Sequence, residues 1–168
     1  MRLVKHFAVL AALATAAAGA AQAGNSGRKL EPRFGFNAAL RLIDGGPKKA
    51  SGLLKFRQPV DENAIVFLDT SLRHLVPNRA YYLERGVDTA VDGNCPPDTA
   101  TAAWLRLGQG AVPDAINVNL KGNGRLVLFR ELPATAIGVT FDIQFRVIDA
   151  ITGAIVLRSA CYQYTGRR

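Results

Sequence analysis

The clearest periodic pattern in the chain lies at residues 139–147, which read VTFDIQFRV. Every second side chain in this stretch is apolar, and the side chains between them are polar or charged. A period of two places the apolar side chains on one face of an extended strand, because successive side chains point to opposite faces. The stretch therefore predicts a strand with one buried face. The apolar positions are Val139, Phe141, Ile143, Phe145 and Val147.

The same alternation recurs on both sides of this stretch, between clusters of turn residues. Eight or nine short strands at close spacing, without an amphipathic helix of useful length, are typical of an all-β fold. We predict an antiparallel β-sandwich or Greek-key barrel with one core. The predicted strands cover residues 34–42, 54–57, 66–72, 80–87, 104–107, 116–120, 125–131, 139–147 and 154–164.

Two details of this pattern concern the segment near residue 125. Lys121-Gly122-Asn123-Gly124 predicts a hairpin turn, because Asn and Gly accept a positive φ at little cost. In the strand that follows, Val127 and Phe129 are expected on one face.

The N-terminus has the three parts of a secretory signal peptide. A basic start at residues 1–6 precedes an apolar run at 7–18 and an A-x-A pattern that ends at Ala23. The apolar run is shorter than the roughly 20 residues that cross a bilayer. We predict that residues 1–23 are removed, that 24–33 are a flexible mature N-terminus and that 34–168 form one domain. The mature protein would be secreted or periplasmic and would not span a membrane; the alternative is a retained N-terminal anchor.

Cys95 and Cys161 are the two cysteines of the chain. An even count in an exported protein predicts a disulfide. It would tie the longest irregular stretch, residues 88–103, to the last strand, and the chain-entropy model gives it about 4 kcal/mol. The alternative is a pair of free or metal-binding thiols.

The charge of the chain is basic, at +8, and it falls to +6 when Arg2 and Lys5 leave with the signal peptide. A basic exported protein could bind an anionic glycan or an anionic envelope surface, whereas nucleic acid is not an expected partner outside the cell. Tyr82 and Tyr162 could add stacking surfaces to a basic sheet face. The alternative is that the basic side chains only solvate the sheet. The outward positions predicted to form this anion-binding face are Arg41, Lys55, Arg57, Arg130 and Arg146.

The loop around Cys95 carries several oxygen ligands. Calcium takes six to eight oxygens from such loops, although the spacing here matches no EF-hand pattern. The residues that could surround Ca²⁺ are Asp88, Asp92, Asn94 and Asp98. The alternative is a solvated acidic loop.

Two stretches resemble known extracellular sandwich families. Residues 50–56 (ASGLLKF), followed by 73–78 (RHLVPN), resemble the copper/zinc superoxide dismutase fold, which also joins a Cys in a long middle loop to one near the C-terminus. Residues 36–40 and 50–52 are similar to chordin-type domains. Both resemblances imply a β-sandwich, and such folds host many functions.

The dismutase chemistry does not carry over to this chain. The position of that family's H-x-H motif reads Tyr82-Leu83-Glu84-Arg85 here, and the mature part holds a single histidine, His74. One imidazole cannot build a copper or zinc cage of that type.

Catalytic residues are not assigned from the sequence. His74 is the only base of the usual kind, and the interpretation favoured for it is a surface or turn histidine. We assign no metal site and no cofactor. The sequence favours a non-catalytic exported β-sandwich that is a binding or structural module of the envelope or secretome. The alternative is a metal-binding protein or enzyme derived from a dismutase-like sandwich, acting through His74 or the Asp88–Asp98 loop.

Overall fold

A computed structural model describes residues 35–42, 49–95 and 104–168. The predicted signal peptide (1–23) and mature N-terminus (24–33) lie outside the described residues. The described elements are β1 (Gly35–Leu42), β2 (Ser51–Arg57), β3 (Ile65–Arg73), β4 (Ala80–Asp88), β5 (Leu105–Arg106), β6 (Gly108–Gln109), β7 (Val112–Pro113), β8 (Ile116–Asn117), β9 (Gly124–Glu131), a 3-10 helix (Ala134–Ala136), β10 (Thr140–Asp149), β11 (Ile155–Arg158) and β12 (Tyr162–Thr165).

The strands form two packed, mainly antiparallel layers along one hydrogen-bonded path. From edge to edge the path runs β5-β4-β10-β11-β1-β2-β3-β9-β6-β7, while β12 pairs with β10 and β8 pairs with β4. Strand β6 runs parallel to β9, and the other described pairs are antiparallel. The rings of Phe56 on β2 and Phe145 on β10 lie 6.2 Å apart across the interior. The predicted all-β sandwich or barrel is confirmed.

The connection between β4 and β9 bridges the two layers. The N–H of Leu107 donates to the carbonyl of Leu83 on β4 at 2.9 Å. Three residues later, the N–H of Gly110 donates to the carbonyl of Phe129 on β9 at 3.0 Å. Because this segment hydrogen-bonds to both strands, it covers sheet edges that would otherwise present unpaired backbone groups.

The inner face of β10 confirms the alternation on which the fold prediction rests. Phe141, Ile143, Phe145 and Val147 are all buried, and the last two are fully so. Burying a large apolar side chain contributes about 1.5–3 kcal/mol, so this pattern decides which face of the strand is inside. Other buried members of the core are Leu54, Phe56, Val66, Leu68, Leu72, Tyr81, Leu83, Leu128 and Leu157.

Strand β10 differs from the prediction in two places, at its first residue and at Asp142. The strand begins at Thr140, and Val139 before it is 44 % exposed. Asp142 is fully buried although it points away from the core, because the loop after β4 covers it and the N–H of Gly93 donates to its Oδ2 at 2.7 Å. A period of two identifies the inner face, but it does not say what covers the outer one.

The last predicted strand, residues 154–164, is interrupted. Its two parts, β11 and β12, lie one after the other along the same edge of β10. Between them, Ser159 exchanges hydrogen bonds with Phe145: its N–H donates to the carbonyl of Phe145, and its Oγ accepts from the N–H of Phe145, both at 2.9 Å. A hydroxyl that takes the place of a backbone partner interrupts a strand ladder locally.

The turn predicted at residues 121–124 is present, but the hairpin is not. Gly122 has a φ of +72°, and the side-chain Oδ1 of Asn119 accepts from the N–H groups of Lys121 and Asn123 at 2.9 and 3.1 Å. The flanking strands β8 and β9 pair with β4 and β3 respectively, so the turn connects the two layers.

The predicted disulfide is confirmed. Cys95 and Cys161 are joined, with their Cα atoms 5.4 Å apart, so the loop after β4 is tied to the segment that leads into β12. Within the part of the chain that the structure describes, no helix has the length and apolar character needed to cross a membrane.

Candidate ligand-binding cavity

A partly enclosed cavity of about 230 Å³ lies at one end of the sandwich. It is found where β2, β4, β9 and β12 end and where β3 and β10 begin. Phe56, Phe141 and Tyr164 form an aromatic wall, with the Tyr164 ring 4.7 Å from Phe56 and 5.3 Å from Phe141 in edge-on contacts. These packed rings give the cavity a preformed apolar surface.

The segment after β9 covers one side of the cavity. Leu132, Ala136 and Val139 of this segment line it. The N–H of Leu132 donates to the carbonyl of Ala64 at 3.0 Å, and the N–H of Gly138 donates to the carbonyl of Gly166 at 2.8 Å. The cover is therefore hydrogen-bonded at both ends to neighbouring segments of the fold.

Two arginines point into this apolar space. Arg85 lies on β4 in the same phase as the buried Tyr81 and Leu83, and Arg130 lies on β9 opposite Val66. The Nη1 of Arg130 donates to the carbonyl of Gly110 at 3.2 Å. The side chain of Arg85 has no hydrogen bond or ion pair with any described residue.

The positive charge in the cavity is not neutralised by the described residues. None of those that line it is Asp or Glu. Burial, and then the charge of Arg130, lowers the pKa of Arg85 below its ordinary value. A guanidinium still stays protonated at neutral pH, so the site carries two cations.

Tyr164 closes the aromatic wall with a polar contact. Its hydroxyl donates to Oε1 of Gln58, whose Nε2 donates to the carbonyl of Arg167 at 2.5 Å. Burial raises the pKa of Tyr164 above its usual range, so the phenol is neutral at physiological pH.

The predicted calcium ligands that the structure describes take part in local turns. The Oδ1 of Asp88 accepts from the N–H of Ala90 at 3.0 Å, and the Oδ1 of Asp92 accepts from the N–H of Asn94 at 2.8 Å. Each carboxylate thus stabilises its own turn. Asp98 lies outside the described residues, and the described residues contain no group of three or more His, Cys, Asp or Glu that could hold a metal ion.

The five residues of the predicted anion-binding face fall into separate places. The predicted outward orientation of Arg130 is corrected, since its side chain lines the cavity and does not lie on an outer sheet face. Arg41 and Arg146 both lie beside Arg158 in the ladder of β1, β11 and β10. Lys55 and Arg57 lie on β2, which belongs to the other layer, and both face outward. Lys55 lies opposite Asp69.

Arg146 is held in place on the outer surface. Its Nε donates to Oε2 of Glu84 at 2.7 Å, and its guanidinium lies 4.0 Å from the ring centre of Trp104. Arg106 also donates to Glu84, at 3.1 Å, and lies over the ring of Tyr82. These contacts connect β4, β10 and the start of β5.

His74 lies in an exposed turn at the end of β3, as its surface interpretation predicts. Its φ is +56°, and its backbone N–H donates to Oδ1 of Asn123 at 3.3 Å.

Comparisons with protein-family models, with curated proteins and with solved structures found no match to this chain. The resemblances to superoxide dismutase and chordin-type domains therefore stay predictions, and what stands on observation is a small all-strand fold with one disulfide.

Proposed function

We propose that this protein is a non-catalytic exported β-sandwich that binds a small, mainly apolar molecule in the cavity at the end of the sandwich. The observation that carries the proposal is the partly enclosed cavity of about 230 Å³ with its aromatic wall. An apolar cavity of about 150 Å³ is large enough for benzene. The space here suits a ring or a short chain with a small polar group, and preformed apolar pockets with few polar groups are the usual form of small-molecule sites.

The polar groups that line the cavity are suited to binding a ligand and not to acid–base catalysis. The described lining residues include no Asp, Glu, His, Cys or Ser. The Tyr164 phenol is already a donor to Gln58, and its raised pKa keeps it protonated, so it is not a base at neutral pH. The two guanidinium groups can bind and orient a ligand, but they do not accept protons from it.

Two further observations support a place outside the cytoplasm. The first 23 residues have the pattern of a secretory signal peptide, and the chain carries a disulfide that forms and persists in oxidising compartments. We therefore propose that the ligand is taken up in the periplasm or in the medium.

A titration followed by NMR tests the proposed cavity. The mature protein would be titrated with hexanoate and with 1-hexanol, and we expect at least one to bind with a Kd of about 0.1–1 mM, as few atoms are buried. Ala136→Phe fills the cavity from its cover and should weaken that binding about tenfold or more. Ala134→Phe is the matched control, because Ala134 is an exposed residue of the same short helix that does not line the cavity.

Two results would contradict the proposal. One is the absence of saturable binding by both probes in the wild-type protein. The other is binding that Ala136→Phe and Ala134→Phe reduce to the same extent, since the site would then lie elsewhere on the surface.

A further inference from the structure

We infer that the ligand of this cavity is an apolar monocarboxylate, whose carboxylate is bound by Arg85 and Arg130 and whose hydrocarbon part packs against Phe56, Phe141 and Tyr164. The inference rests on the proposed function and adds the chemical class of the ligand. It depends on the absence of an acidic partner for the two arginines among the described residues that line the cavity.

Elsewhere in the described residues, two buried carboxylates have arginine partners, and the buried Asp142 accepts from the N–H of Gly93. Glu84 binds Arg106 and Arg146, and Asp149 binds Arg79 at 2.7 Å. A buried charge is costly unless it is paired and hydrogen-bonded. The half-buried Arg85 has no such partner, because its side chain lines the apolar cavity and makes no hydrogen bond or ion pair with a described residue.

The missing partner should be an anion that enters the cavity. Arg130 keeps one hydrogen bond to the carbonyl of Gly110, and its remaining N–H groups can still donate to a ligand. Guanidinium groups pair well with planar carboxylates, and such charge-assisted hydrogen bonds are about twice as strong as neutral ones. Arg85 and Arg130 therefore specify the head group of the ligand.

The rest of the cavity specifies a hydrocarbon tail of limited size. Around the two cations the described lining is almost entirely apolar, with Thr135 and the phenol of Tyr164 as the other polar side chains. A head group with a single negative charge needs less desolvation than a phosphate dianion in such surroundings. About 230 Å³ excludes a long acyl chain but holds a short aliphatic or aromatic acid.

Matched probes that differ only in the head group test this inference. Hexanoate, 1-hexanol and hexylamine have the same chain, and we expect hexanoate to bind at least about tenfold more tightly than the alcohol, with the amine weakest. Arg85→Met and Arg130→Met should each remove most of this preference, whereas Arg57→Met, on the exposed outer side of β2, should retain it. Arg85→Lys should keep part of it, since a cation is still present.

A change in head-group preference distinguishes ligand binding from a structural role for these arginines. Because methionine removes an unpaired, half-buried charge and keeps an unbranched apolar side chain, Arg85→Met should fold with a thermal midpoint at least as high as that of the wild type. Lowering the pH through about 4–5, where an alkyl carboxyl group takes up its proton, should weaken hexanoate binding and leave hexanol binding unchanged in the wild type.

The outcomes separate this inference from the proposed function. Equal affinities of the wild type for hexanoate and hexanol would overturn the monocarboxylate assignment and leave the cavity as the binding site. Retention of the full preference in both Arg85→Met and Arg130→Met would also overturn it. Failure of all three probes to bind would overturn the proposed function itself.

Discussion

At the scale of single residues, arginines hold two of the acidic groups that the fold buries, Glu84 and Asp149. Asp149, at the end of β10, is 3 % exposed. It accepts hydrogen bonds from Arg79 at 2.7 Å and from the N–H groups of Ile151 and Thr152 at 2.9 and 3.0 Å. Burial raises the pKa of Asp149, but these hydrogen bonds outweigh that effect and lower the pKa to about 2.

Asp149→Asn should lower stability in a way that depends on pH. The folded-state pKa of about 2 lies below the ordinary value of 3.8, so the carboxylate contributes stability above about pH 4 and loses it as the pH falls towards 2. We expect a loss of about 1–2 kcal/mol at pH 7, since the partner Arg79 is partly exposed and solvent weakens the pair. Urea unfolding at pH 7, 4 and 2.5 measures it, and the difference from wild type should shrink at the lowest pH.

Glu62→Gln is the control for this measurement. Glu62 is exposed in the turn between β2 and β3, and neither a hydrogen bond nor an ion pair to it is found among the described residues. Its substitution should leave stability unchanged at every pH. A difference between Asp149→Asn and wild type that stays constant from pH 7 to 2.5 would argue against a stabilising carboxylate at position 149.

At the scale of elements, the turn between β8 and β9 is hydrogen-bonded to the loop between β3 and β4. The N–H of Leu75 donates to the carbonyl of Gly122 at 3.0 Å, and the N–H of Gly122 donates to the carbonyl of Asn119 at 2.9 Å. A Cβ atom at position 122 would lie 2.1 Å from the carbonyl oxygen of Leu75. Glycine is therefore needed here both for its positive φ and for the close approach of two backbones.

Gly122→Ala should destabilise the protein much more than Gly153→Ala. Both glycines have a positive φ, +72° and +70°, so both substitutions carry the left-handed strain of about 1–2 kcal/mol. Only Gly122 has backbone in the way, whereas a Cβ at Gly153 meets no atom within 4 Å. Thermal and urea unfolding should give about 1 kcal/mol for Gly153→Ala and at least about 3 kcal/mol for Gly122→Ala.

Equal losses in these two variants would contradict the contact between the two loops. The comparison is internal to the protein, because both positions have the same backbone conformation and receive the same side chain. The difference between them therefore reports the close approach to Leu75 alone.

At the scale of the whole molecule, the disulfide and the segment that bridges β4 and β9 hold distant parts of the chain together. The disulfide spans a sequence separation of 66 residues and ties the loop after β4 to β12, which carries Tyr164 of the cavity wall. A cross-link over a loop of this size removes conformational entropy mainly from the unfolded chain.

Cys95→Ala combined with Cys161→Ala should lower the free energy of unfolding by about 4 kcal/mol. The double substitution avoids a free thiol, and urea unfolding followed by circular dichroism measures the loss. Wild-type protein treated with dithiothreitol should unfold at the same urea concentration as the double variant. If the oxidised wild type and the double variant unfold together, the disulfide has no stabilising role.

Much of the strand pattern could be predicted from local sequence. The alternation at residues 139–147 identifies the inner face of β10, and Tyr81 and Leu83 identify that of β4. The alternation of Tyr81 and Leu83 reaches Arg85 two residues later, so the sequence did indicate that Arg85 faces inward. A cation in the inner phase is not expected from composition alone, because charged side chains are rarely buried.

The orientation of β9 could not be chosen from its own residues. Val127 and Phe129 were expected on one apolar face, but Leu126 and Leu128 form an equally apolar face in the other phase. In the structure Leu128 is fully buried and Val127 is 47 % exposed, which also turns Arg130 inward. When both phases are apolar, the pairing with β3 decides which of them faces the core.

The sequence by itself determined the all-β character of this protein, the inner face of its strongest strands and the pairing of its only two cysteines. These properties follow from the period-two geometry of extended chains and from the cysteine count. Tertiary structure alone decided the phase of β9, the break between β11 and β12 and the meeting of Arg85 and Arg130. Such features depend on which strands become neighbours, and no local pattern specifies that two residues 45 positions apart line one cavity.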